Sequence, residues 1–93
     1  MTLALDQVAQ TLHLSPEKLW RESLRAYLLR QKRVLQSDIA DLQDRYGVAS
    51  ATELAQRIER GDVYSHPAWE DLIEWENLLA HLEQLTQLEA TVD

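Results

Sequence analysis

The sequence predicts an all-α protein, a small helical domain in which two long antiparallel helices and two short ones form a dimeric bundle. Apolar residues recur at spacings of three and four along most of the chain. Leu, Ala, Gln, Glu and Arg, all good helix formers, are abundant, and only two glycines and two prolines interrupt the pattern. No stretch reads as a convincing strand. Helices are expected at about residues 4–13, 16–46, 51–60 and 67–89 of a single domain, 1–93.

In the first helix, "LALDQVAQTLHL", Leu5, Val8, Ala9 and Leu12 share a face. The second opens at "LSPEKLW", where Ser15 is a good N-cap, Pro16 occupies a first-turn position that needs no N–H, and Glu17 lies near the positive end of the helix dipole. Running to Tyr46, it would be about 46 Å long, with Gly47 placed to end it in a left-handed cap. Leu24, Leu28, Leu35, Ile39, Leu42 and Tyr46 follow the rhythm of a buried seam, with Gln31 as its polar interruption. Leu24, Leu28, Leu35, Ile39 and Leu42 are the expected dimer seam, because a helix of this length calls for a packing partner.

The third helix carries an S-x-x-E capping box, Ser50 and Glu53, a small apolar face of Leu54 and Ile58, and Gly61 as its stop. The fourth is expected to start at "HPAWED", with His66 at the cap and Pro67 in the first turn. Trp69, Leu72, Trp75, Leu79 and Leu82 are expected on one stripe, broadened by Ile73, Leu78, Leu85 and Leu88. An apolar arc this wide suits more than one neighbour.

Ninety-three residues give a thin core, so a second chain or a partner would cover apolar surface that one chain cannot hide. The chain has no Cys, which excludes disulfides and thiolate metal sites. It opens with no basic and then apolar leader, and no apolar run approaches the roughly 20 residues that span a bilayer. A soluble cytoplasmic protein without membrane association is expected.

The net charge of -7 is unevenly distributed. In residues 18–33, Lys18, Arg21, Arg25, Arg30, Lys32 and Arg33 stand against Glu22 alone, whereas residues 62–93 hold eight acids and no Lys or Arg. This polarity favours antiparallel docking of the two segments, or two differently charged partners. Arg21, Arg25, Arg30 and Arg33 are candidate phosphate contacts should the chain bind nucleic acid. The plainer reading makes them the flank of a long helix paired with acids of the fourth. Overall acidity makes nucleic acid the lesser partner.

Catalysis has little support. Glu70, Glu74, Asn77 and His81 line one stripe at spacings of 4, 3 and 4, but helical di-metal sites use Glu-x-x-His pairs, and the chain has none. The stripe reads as a solvated helix face, and no nucleophile motif or phosphate loop accompanies it. No enzyme activity, cofactor or metal is expected. The tryptophans of the fourth helix leave two readings open. Either Trp69 and Trp75 close the core, or with Glu70, Asp71 and Glu76 they form a surface for a basic partner.

The run "LHLSPEKLWRESLRAYLLRQ" resembles the helical half of small prokaryotic antitoxins and regulators. In ribbon-helix-helix members of that group an N-terminal strand reads DNA, whereas here only "MTLAL" precedes the first helical pattern. A longer resemblance runs through "LSPEKLWRESLRAYLLRQKRVLQSDIADLQDRYGV", "SATELAQRIERGDV" and "HPAWEDLIEWENLLAHLEQL". Across these stretches the chain is similar to the TumA-type antitoxins that occur in archaea and cyanobacteria beside a TumE-type toxin. The resemblance implies an antitoxin that binds its cognate toxin protein, with regulation of its own operon as a possible second role. A self-associating helical scaffold and a small DNA-binding regulator are the alternatives.

Overall fold

A computed structural model describes residues 2–92. Four helices follow in order: α1 (Thr2–Leu12), α2 (Pro16–Tyr46), α3 (Ala51–Glu59) and α4 (Ser65–Thr91). Among the described residues there is no strand, so the chain is all-helical.

Local signals explain the boundaries. The Ser15 side chain accepts a hydrogen bond from the Lys18 amide at 3.1 Å, capping α2 with Pro16 at its first position. Gly47 adopts φ 61° and closes the helix, its own N–H and that of Val48 both donating to the Gln43 carbonyl. At α3 the Glu53 amide donates to Ser50 Oγ, and the Glu53 carboxylate accepts from the Ala49 amide at 2.9 Å, so the capping box closes one residue earlier than the usual reciprocal pair. Gly61 at φ 74° and Asp62 return their amides to Ile58 and Arg57, a Schellman end. α1 ends the same way, but there the left-handed position is His13, at φ 59°, with the Leu14 amide bonded to the Ala9 carbonyl.

α4 starts at Ser65, earlier than expected, with Tyr64 as an N-cap that makes no side-chain capping bond. His66 and Pro67 therefore lie inside the first turn, where a proline leaves no donor wanting.

α2 and α4 pair antiparallel: Arg25 reaches Val92, Lys32 reaches Glu89 and Arg45 reaches Asp71, so numbers rise along one helix as they fall along the other. Two apolar clusters lie between them. At one end, α2, α3 and α4 enclose Leu42, Val48, Leu54, Ala68, Leu72 and Trp75. Towards the other end, Leu28 and Leu35 meet Leu85 in a thinner two-helix layer. Full burial of a side chain such as Leu54 stabilises by about 1.5–3 kcal/mol. The molecule is a rod of 60 × 20 × 20 Å with a radius of gyration of 19.3 Å, against about 12 Å for a compact domain of this length.

Candidate functional site

The two indoles of α4 separate. Trp75 is 1% exposed, at the centre of the three-helix cluster, while Trp69 is 56% exposed. Six residues turn an α-helix by about 600°, which leaves the two rings about 120° apart. The buried stripe is Ala68, Leu72, Trp75, Leu78, Leu82 and Leu85, and the stripe expected through Trp69 and Leu79 runs off it: both are exposed.

Of the five residues expected at a partner surface, Trp69, Glu70 and Glu76 lie on the outside of α4. Trp75 is enclosed by the fold and cannot touch a partner while α4 stays packed. Asp71 faces α2, where its Oδ2 accepts from the Tyr46 hydroxyl and, at 2.9 Å, from Arg45. The Tyr46 bond, followed by Arg45, holds the Asp71 carboxyl below its ordinary range against the opposing effect of burial. Burial first, then the bond to Asp71, pushes the Tyr46 phenol up to about 12. Arg45 is raised in turn by its bond to Asp71. This cluster holds α2 to α4, and Arg57 extends it by donating to the Tyr46 carbonyl at 3.0 Å.

Two further exposed side chains lie in this region, neither assigned to a partner surface by the sequence pattern. Ile73 stands one turn after Trp69, and Tyr64 precedes the helix. The signal for Ile73 was its spacing of four from Trp69, masked because Ile73 also reads as broadening the apolar stripe. Tyr64 carried no signal beyond a turn-rich context. Glu70 and Glu76 flank Ile73 at three-residue distance, and His66 Nε2 lies 3.7 Å from Glu70 Oε1 in an exposed pair. The result is an acidic surface with aromatic and aliphatic anchors at its centre.

The basic run of α2 divides as well. Arg25 donates to the Val92 carbonyl from Nε at 3.2 Å and from Nη2 at 2.8 Å, and Lys32 pairs with Glu89 at 3.2 Å. Arg21 also has a partner, and Arg21, Arg25, Arg30 and Arg33 are all exposed residues. Within the chain, Leu28, Leu35, Ile39 and Leu42 pack in the two apolar clusters, with Leu24 half-buried, so most of the expected dimer seam is occupied by the chain itself. Among the described residues no group of three or more His, Asp or Glu could hold a metal ion, and no helix is long and apolar enough to cross a membrane.

A family model described as the uncharacterized protein MJ0235 family matches residues 1–89. The chain belongs to this family. No curated protein and no solved structure matches it. This MJ0235-family chain presents two separate surfaces: the acidic outer face of α4, and the flank of α2 that bears Trp20 and Tyr27.

Proposed function

We propose that this protein is an antitoxin-like inhibitor that neutralises a cognate toxin in the cytoplasm by binding it directly through the outer face of α4. The observation that carries the reading is Trp69, exposed beside Ile73 and flanked by Glu70 and Glu76, in a segment without Lys or Arg. A half-exposed indole costs solvation in the free protein and supplies a large, rigid anchor when covered, with an N–H left for a polar contact. The carboxylates around it suit a basic surface, such as that of a toxin that acts on RNA, and speed encounter by long-range attraction. The resemblance to TumA-type antitoxins supplies the class of partner.

The test is co-expression with the product of the neighbouring gene, read by co-purification and by rescue of growth. Trp69→Ala and the pair Glu70→Lys, Glu76→Lys are expected to weaken association while the fold is kept. Absence of both association and rescue overturns the proposal.

A second reading, a self-associating scaffold, draws support from the exposed aromatic side chains of α2. Mass in solution, measured alone and with the candidate toxin, separates the two, since an oligomer whose mass the toxin leaves unchanged favours the scaffold. Regulation of the operon would fall to Arg30 and Arg33, and salt-dependent binding to the promoter would be its signature. Binding unchanged by substitution of both residues would remove them from that role.

A further inference from the structure

α2 carries a second seam. Trp20, Leu24, Tyr27, Gln31, Val34, Asp38 and Asp41 follow each other at alternating spacings of four and three. That rhythm places them on one flank of the helix, turned away from the flank by which Arg25 and Lys32 reach α4. Trp20 is 54%, Tyr27 57% and Val34 51% exposed. The seam meets its own reverse about Gln31. An antiparallel copy sets Tyr27 against Val34 twice, Leu24 near Asp38, and the Trp20 indole N–H near the Asp41 carboxylate.

Charge selects that occupant. Trp20 and Tyr27 of the seam lie in the basic run 18–33, which repels the basic partner suited to α4, while residues 34–46 hold Asp38, Asp41 and Asp44 against Arg45. Antiparallel pairing brings Asp41 and Asp44 of each copy alongside Arg21 and Lys18 of the other, and parallel pairing opposes like charges. Area agrees. The chain exposes 6899 Å², about 1,400 Å² more than the roughly 5,500 Å² of a typical monomer of its mass. A standard interface covers about 800 Å² per partner. A two-fold contact also closes on itself, with a polar Gln31 pair at its centre to set the register.

We propose that this flank of α2 is a homodimer interface, an antiparallel α2·α2 pair with its two-fold axis at Gln31. The proposal is independent of the toxin, because the acidic face of α4 is a different surface.

The experiment measures mass by light scattering or sedimentation at about 100 µM, far above a micromolar dissociation constant. Wild type is expected as a dimer that weakens as salt is raised. Tyr27→Glu and Val34→Glu, both at exposed positions, are expected to give monomers of unchanged helicity by circular dichroism, and Trp69→Ala is expected to stay dimeric. The absence of Cys makes orientation readable with a short bis-maleimide. Gln31→Cys is expected to cross-link to its twin, and Asp41→Cys is not, since antiparallel pairing sets its copies about 30 Å apart. A monomeric wild type, a dimer indifferent to both Glu substitutions, a dimer lost in Trp69→Ala, or efficient cross-linking through Asp41→Cys would each overturn the proposal.

Discussion

The hydroxyl of Tyr46 at the end of α2 donates to the carboxylate of Asp71 in α4, 25 residues on, and Arg45 shares the same acceptor oxygen. One carboxylate thus holds two consecutive residues of the neighbouring helix beside the main apolar cluster. A hydrogen bond to a charged group is worth about 1.5–3 kcal/mol. Tyr46→Phe is expected to lower stability by about 1.5 kcal/mol in urea unfolding. Arg45→Ala, at an exposed side chain screened by solvent, is expected to change it less than Tyr46→Phe does.

The same pair sets a pH dependence with two limbs. Asp71 is held below its ordinary value of 3.8, so its contribution is complete above that pH and fades as pH falls through the lowered folded value. Tyr46 is raised from 10.0 to about 12, so its contribution is complete below pH 10.0 and fades as pH rises towards 12. The stability difference between wild type and Tyr46→Phe is expected to be flat between these limbs and to shrink on both. A difference that is constant from pH 3 to pH 11 would contradict the coupling.

The two indoles of α4 make opposite predictions. Trp75→Ala empties the centre of the main cluster and is expected to cost about 3–5 kcal/mol. Trp69→Ala removes an exposed ring and is expected to stay within about 0.5 kcal/mol of wild type. In acrylamide quenching, Trp75→Phe is expected to remove the protected component of the emission, leaving the accessible signal of Trp20 and Trp69.

Helix ends offer a paired test of backbone conformation. His13 occupies a left-handed position that disfavours a side chain by about 1–2 kcal/mol, so His13→Gly is expected to raise thermal stability modestly. Gly47 occupies the same region at φ 61° with open space around the missing side chain, so Gly47→Ala is expected to lower stability by about 1 kcal/mol from backbone strain alone. Opposite signs at the two positions are the expected readout.

Much of the helix pattern was legible because the signals are local. Ser15, Pro16, Gly47, Ser50, Glu53 and Gly61 act within a turn of their own position, and the Leu28, Leu35, Leu42 rhythm needs only a helical period to be recognised. The site was less legible because it depends on rotation and on distant partners. An arc containing Trp69, Leu72, Trp75 and Ile73 can be turned several ways, and only packing against Leu42 and Leu54 decides which indole is enclosed. Asp71 looked like its acidic neighbours until Tyr46, on another helix, engaged it. The leucine seam of α2 identified a packing face correctly in kind, but periodicity does not distinguish a neighbour in the same chain from one in another.

Leu78 packs against both apolar clusters, the three-helix one around Trp75 and the thinner one around Leu85. Resistance to local opening should therefore fall along the rod. Amides near Leu54, Leu72 and Trp75 are expected to exchange hydrogen only on global unfolding, while those around Leu28 and Leu85 exchange through smaller fluctuations that pivot at Leu78. The acidic face around Trp69 is thus mounted on the stiffer portion, so docking there would meet a preformed surface and lose little conformational freedom.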